Sequence, residues 1–268
     1  MTRRLRLDAE LVRRGLARSR DHASDLISSG HVSVAGARAS KASTHVTTDV
    51  ALVVNADSAR PGYVSRGGHK LAAALARFGA AGLEVAGRQA LDAGASTGGF
   101  TDVLLRAGAS AVIAVDVGYG QLAWELQQHP AVTVLDRTNV RDLTSDVVPY
   151  HPGIVVADLS FISLTLVLQP LSSLAIADAD LVLMVKPQFE VGRSGLGKGG
   201  VVRDPRLRAA AVAGVAEAAK EHGLGVHGVC PSPLPGPAGN VEYFLWFARG
   251  APDLDAADVD RAVLEGPQ

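Results

Sequence analysis

The chain has 268 residues, 47% of them apolar and 20% charged, enough for one sizeable hydrophobic core and a small appended module. A net charge of -1 with 29 Gly and 13 Pro excludes collagen-like and disordered classes. The single cysteine, Cys230, excludes a disulfide framework and a zinc site built on cysteine spacing; a reducing cytoplasm is the expected compartment and no metal is expected.

The first twenty residues hold seven Arg against Asp8 and Glu10, with no apolar run of the kind a signal peptide needs. The longest apolar runs, 111–115 and 181–185, have strand length, so no membrane span is expected. Residues 1–60 carry ten bases against six acids, a balance that suits phosphate contacts and a solvated helix face equally.

Leu7, Leu11, Val12 and Leu16 recur at helical spacing and Gly15 closes that stretch. Ser19 then caps a second helix carrying Ala23, Leu26 and Ile27, which Gly30 ends. His31 to Val34 alternate like a short strand into an Ala35-Gly36 turn, and residues 49–54 supply another strand. The polar Pro/Gly segment 55–62 suits a linker. Arg6-Leu7-Asp8, Ser19-Arg20 and Gly30-His31-Val32-Ser33-Val34 followed by Gly36 resemble an S4 RNA-binding domain. The resemblance implies RNA contacts from Arg3, Arg4, Arg6, Arg18, Arg20 and Lys41, and further on from Arg66.

From Gly87 onward seven apolar runs alternate with helical segments, the pattern of a mostly parallel sheet with both faces covered. The last two runs are joined only by the Pro-rich stretch 231–240 and are expected to pair antiparallel. The expected fold is α/β: a Rossmann-like seven-stranded class I methyltransferase domain over 65–252, preceded by a small α+β S4-like domain over 1–60 and a linker over 61–64. Five acids against Arg261 make 253–268 an expected solvated acidic tail.

Asp92, Ala93, Gly94, Ala95, Ser96, Thr97, Gly98, Gly99 and Phe100 join the first core strand to a helix, where small residues let backbone approach a ligand. Asp116 ends the next strand, twenty-two residues after Gly94, where a carboxylate reaches ribose hydroxyls. The glycines do not follow the G-x-G-x-x-G dinucleotide spacing, and an S-adenosylmethionine site fits better, with Asp92 facing the cofactor's ammonium group and Val117, Asn139 and Asp158 completing the set. A second glycine-rich stretch, 192–199, matches G-x-x-x-x-G-K but ends in Gly199 where a P-loop needs Ser or Thr for magnesium. It is read as a loop beside the active site.

Asp158 and Lys186 follow strongly apolar runs at strand ends, where an unpaired charge is costly, so both are expected to face a cleft. With Lys70 and Glu242 they resemble the K-D-K-E tetrad of FtsJ-type ribose 2′-O-methyltransferases. A 2′-hydroxyl is a poor nucleophile that needs alignment and removal of its proton. The resemblance implies Lys186 as base, Asp158 orienting it, and Lys70 and Glu242 positioning the ribose.

Ser65-Arg66-Gly67, His69-Lys70-Leu71, 116–124, 137–139, 157–163, 185–190 and 233–242 extend the likeness to the TlyA, or haemolysin A, family over nearly the whole chain. It implies methylation of cytidine 2′-hydroxyls in rRNA of ribosomal subunits, in both 16S and 23S rRNA, with an effect on capreomycin and viomycin sensitivity. One departure is Arg60-Pro61-Gly62-Tyr63-Val64, where relatives tend to have Trp for Tyr63 and no Pro-Gly.

Phe100, Tyr119, Trp124 and Phe161 are candidates to stack on adenine or on a flipped base, although core packing is the commoner fate of aromatics. Competing readings are a non-catalytic ribosome-assembly protein, a base N-methyltransferase and a membrane-lysing haemolysin. A monomer is the default expectation.

Overall fold

The computed structural model describes residues 4–17, 19–28, 30–54 and 62–267. Arg3, Arg18 and residues 55–61, which include the first residue of the expected 61–64 linker, lie outside the described residues. The chain divides into two compact units, Met1–Gly62 and Tyr63–Gln268.

In the first unit β1 (Arg4–Arg6) runs straight into α1 (Leu7–Arg13), followed by α2 (Arg20–Ser28), β2 (Val32–Val34), β3 (Ala37–Arg38), β4 (His45–Thr47) and β5 (Leu52–Val54). Ser19 Oγ accepts the backbone N–H of His22 at 3.1 Å, the N-cap its residue type suggests. Ala35 (φ +49°) and Gly36 (φ +83°) form the two-residue hairpin turn between β2 and β3, both in the left-handed region such a turn requires. β5 joins β2 and β3 in one small sheet, and β1 pairs with β4 in another. Leu7, Leu11, Ala23, Ile27, Val32 and Val46 close the core. The two strands of the second sheet were not expected; three residues each are too few to show alternation.

The second unit runs α3 (Gly67–Gly79), β6 (Gln89–Ala93), α4 (Gly99–Arg106), β7 (Ala111–Val115), α5 (Trp124–Gln127), β8 (Val132–Leu135), β9 (Ile154–Ala157), α6 (Leu168–Leu174), β10 (Asp180–Val185), α7 (Pro187–Glu190), α8 (Pro205–Lys220), β11 (Leu224–Pro231), β12 (Tyr243–Arg249) and α9 (Ala256–Glu265). All seven apolar runs are strands of one sheet, ordered β11-β12-β10-β9-β6-β7-β8. β12 lies antiparallel between β10 and β11; the other pairings are parallel. β9 is buried end to end and β10 is buried from Leu181 to Val185, as sheet strands covered on both faces must be.

Strand order reverses between β6 and β9, so a crevice opens beyond their carboxyl ends. Asp158 N–H donates to Ala93 O at 3.0 Å across this point.

The solvated acidic tail is corrected by the structure. α9 buries Val259, Ala262 and Val263 in the main core while Asp258 and Asp260 stay on its outer face. The apolar i, i+3, i+4 stripe was present, but the surrounding acids hid it.

Candidate functional site

The turn after β6 sits at the crevice. Gly94 (φ +86°) and Gly98 (φ +100°) adopt left-handed conformations, and a Cβ on Gly94 would lie 2.7 Å from the Asp158 carbonyl oxygen. Gly99 packs against Ser65 Oγ and would hold a Cβ 2.7 Å from the Gly68 nitrogen, so α3 and α4 approach backbone to backbone. Ser96, a non-glycine at φ +47°, donates its N–H to Asp116 Oδ2 at 2.8 Å, and Gly118 N–H donates to Oδ1 at 2.7 Å. Both oxygens of Asp116 are thereby fixed while each keeps acceptor capacity.

Residues 137–139 are drawn alongside: Arg137 N–H donates to Gly118 O at 2.8 Å and Thr138 N–H to Asp116 O at 2.9 Å. Asn139 Oδ1 accepts Arg141 N–H at 3.1 Å, capping a 3₁₀ turn. Val117, beside Asp116, is 70% exposed.

Asp92 and Phe100 are both buried. The Asp92 carboxyl lies beneath the turn with no exposed surface, accepting from Thr101 Oγ1 at 2.7 Å through Oδ2, while Oδ1 has no hydrogen-bond partner. Burial, with the negative charges of Asp158 and Asp116, raises its pKa to about 7, against the opposing Thr101 hydrogen bond. Phe100 packs inside the core, 6.0 Å from the Phe244 ring centre.

The four charged candidates resolve into two ion pairs. Lys186, at the end of β10, places Nζ 2.6 Å from Asp158 Oδ1 and donates to Ser160 Oγ at 3.0 Å. Lys70, in the first turns of α3, donates to Glu242 Oε2 at 2.5 Å. Both members of this second pair are buried, and Glu242 Oε1 has no partner. Glu242 Oε1 occupies the space a Cβ on Gly236 would fill, at 2.6 Å. Arg66 donates to Pro235 O, tying the start of α3 to the Pro-rich loop before β12. Its guanidinium therefore serves the fold as well as any RNA contact.

Ser160 and Asn240 escaped the sequence reading, although both lie in motifs it quoted. Asn240 Oδ1 accepts Val202 N–H at 2.8 Å and its Nδ2 donates to Gly200 O at 3.0 Å, pinning the exposed glycine-rich loop to the segment before Glu242.

The aromatic candidates divide. Tyr119 is 70% exposed with the Arg137 guanidinium 4.3 Å over its ring, and Trp124 is 72% exposed. Phe161 is 91% exposed at φ +64°, its ring centre 5.4 Å from that of Phe189. Among the described residues four non-glycines have positive φ, and three of them, Ser96, Arg137 and Phe161, follow the ends of β6, β8 and β9. Backbone strain collects at functional sites because the surrounding structure must hold it.

In the first unit Arg4 and Lys41 are exposed. Arg6 and Arg20 both reach the buried Asp8, at 2.8 and 3.0 Å. The Arg6 hydrogen bond, with Arg20 assisting against burial, holds the Asp8 carboxyl at about 2. These two arginines are oriented by an acid inside the domain rather than free on its surface.

An antiparallel β12 separates this sheet from the all-parallel dinucleotide folds, and with a glycine turn that lacks pyrophosphate spacing it defines a methyltransferase. The chain belongs to the FtsJ-like methyltransferase family, which matches residues 63–249, and carries an S4 domain matched over residues 5–51. Its methyl donor is S-adenosylmethionine.

A Mycobacterium tuberculosis protein named 16S/23S rRNA (cytidine-2'-O)-methyltransferase TlyA is 56% identical over 273 aligned residues, covering 100% of both chains. Hemolysin A of Brachyspira hyodysenteriae is 34% identical, covering 91% of this chain and 99% of its own. A solved structure of a Streptococcus thermophilus protein bearing the hemolysin name superposes with a TM-score of 0.78 at 34% identity, over 99% of this chain and 96% of that one. No helix among the described residues is long and apolar enough to cross a membrane.

Proposed function

We propose that this chain methylates cytidine 2′-hydroxyls of rRNA in ribosomal subunits, and that Lys186, Asp158, Lys70 and Glu242 carry the reaction. The observation behind this reading is the Lys186–Asp158 pair at the strand switch point, its loop hydrogen-bonded to the strand that ends in the glycine turn.

The residues present fit the methyl donor. The turn over 94–99 offers close backbone approach, Asp116 offers two fixed carboxylate oxygens to ribose hydroxyls, and Val117 and Asn139 border it. Asp92 supports the turn from beneath through Thr101. When bound, S-adenosylmethionine supplies a methyl group on a sulfonium, open to in-line attack.

Lys186 Nζ, in its unprotonated form, takes the proton of the 2′-hydroxyl as the hydroxyl oxygen bonds to the methyl carbon and the bond from that carbon to sulfur breaks, leaving S-adenosylhomocysteine as the thioether product. Asp158 and Ser160 fix the direction of Nζ, since a base must lie within hydrogen-bond reach of the proton it removes. Lys70 and Glu242 hold the ribose edge from α3 and from the residue just before β12. Arg4, Arg6, Arg20 and Lys41 of the S4 domain, with Arg3 and Arg18, bind phosphates, and Phe161 and Tyr119 receive the displaced base.

The reading extends to both 16S and 23S rRNA, to an effect on capreomycin and viomycin sensitivity, and to a monomer acting in the cytoplasm. The two-substrate part is supported by the full-length 56% identity to a protein whose name states both substrates, together with the Arg-rich start.

The test is incubation with methyl-labelled S-adenosylmethionine and small and large subunits from an unmodified strain, then nuclease digestion and mass spectrometry of the labelled nucleoside. Label on 2′-O-methylcytidine from both subunits, abolished in Lys186→Ala, is expected. Label on a nucleobase overturns the tetrad assignment. No label with donor still bound favours the non-catalytic assembly reading.

A further inference from the structure

Lys186 and Asp158 lie on two different loops, and something must hold those loops in register. β9 and β10 are neighbours, paired up to Ala157 and Leu183. Past that point the chain diverges into the segment 158–163 on one side and α7 on the other. The first segment carries Asp158, Ser160 and Phe161, the last at φ +64°. A strained, exposed segment of this kind keeps one shape only if it is tethered.

Glu190 supplies the tether. Its Oε2 accepts from Ser163 Oγ at 2.6 Å and its Oε1 from Leu164 N–H at 2.9 Å. Both donors sit where the segment enters the 3₁₀ turn Leu164–Leu166, whose Leu164 is buried. A carboxylate in the last position of α7 gains nothing from the helix dipole, so its two donors, not the helix, explain its place. The side chain is half-buried, and burial raises its pKa against the pull of both donors. One residue earlier on α7, Phe189 meets Phe161, and Lys186 just before α7 meets Ser160. Together these contacts fasten the segment at three places, and Glu190 fastens its far end.

We propose that Glu190 is a positioning residue that clamps the Asp158–Phe161 segment onto the Lys186 turn, so that its loss misaligns the reacting groups and slows the chemical step far more than it weakens substrate binding. The proposal rests on the assignment of Lys186 and Asp158 above. It predicts an effect on the chemical step, because a displacement of about 1 Å at a reacting centre costs roughly 10²-fold in rate.

Single-turnover methylation of ribosomal subunits, donor affinity by calorimetry and KM for subunits are measured for wild type, Glu190→Ala, Glu190→Gln, Ser163→Ala and Lys186→Ala. Glu190→Ala is expected to slow the step by roughly 10²-fold, with KM and donor affinity within about twofold of wild type. Glu190→Gln is expected to restore the rate to within about threefold, because its amide oxygen accepts from Leu164 N–H and its NH2 donates to Ser163 Oγ.

A wild-type rate in Glu190→Ala, a loss confined to KM or donor affinity, or a glutamine variant as slow as the alanine variant overturns the proposal. Should Glu190→Ala not fold, Ser163→Ala decides: about a tenfold slower step at unchanged KM supports the clamp, and a wild-type rate overturns it. Activity retained in Lys186→Ala sinks the base assignment instead, and is read independently of the Glu190 variants.

Discussion

Lys70 Nζ and Glu242 Oε2 lie 2.5 Å apart although 172 residues separate them in the chain. The contact joins the first turns of the helix that opens the catalytic unit to the residue before its last strand, and both side chains are buried. Removing one partner from a buried pair leaves the other charge uncompensated, at a cost of about 3–5 kcal/mol. Lys70→Met is therefore expected to destabilise the catalytic unit by about that amount in urea unfolding, and Lys70→Met with Glu242→Gln to recover part of it. Both variants are expected to lose methylation. A double variant no more stable than the single one would mean that the two charges do not compensate one another.

Asp92 makes stability depend on pH in a definite direction. Its folded-state pKa of about 7 lies above the ordinary 3.8, so the neutral form is favoured in the native protein. The contribution is full below pH 3.8 and is lost as pH rises through about 7. Asp92→Asn, which keeps an acceptor for Thr101 and cannot ionise, should flatten that dependence. Melting curves at about pH 5 and about pH 8 are expected to show the variant's Tm gaining on wild type at the higher pH. A constant difference between the two would remove Asp92 as the source.

The acidic C-terminal helix belongs to the core. Val263 is buried and Leu264, its neighbour, is 79% exposed. Val263→Asp should cost about 3 kcal/mol or more by placing an unpaired carboxylate in apolar surroundings, while Leu264→Asp should stay within about 0.5 kcal/mol. Equal Tm values for the two variants would show that the helix does not pack as described.

RNA affinity should report the S4 domain through salt. Arg4→Ala and Lys41→Ala each remove an exposed cation, and each is expected to weaken subunit binding and to lower the slope of log affinity against log salt by about one. Asp8→Asn should act differently, because it frees Arg6 and Arg20 from the acid that orients them. It is expected to alter affinity with little change in slope, as measured by filter binding across a salt series.

The sequence by itself determined the seven strands, their mostly parallel arrangement and the position of the glycine turn, because those features are written locally. A strand buried on both faces must be apolar throughout, as 154–157 and 181–185 are, and a chain turning sharply at a ligand needs glycines such as Gly94 and Gly98. It also made Lys70, Asp158, Lys186 and Glu242 candidates, through residue type, place at strand ends and family resemblance. It did not reveal β1 and β4, which are too short to carry a period, nor α9, whose apolar stripe is outnumbered by acids.

Tertiary structure alone decided the pairing. That Lys70 takes Glu242, that Arg66 is spent partly on Pro235, and that Glu190 reaches back to Ser163 are all contacts between residues far apart in the chain. Which buried charge meets which depends on strand order and helix packing, and no local spacing encodes either. The physical reason is that secondary structure answers to neighbours a few residues away, whereas a site answers to the crossing of strands.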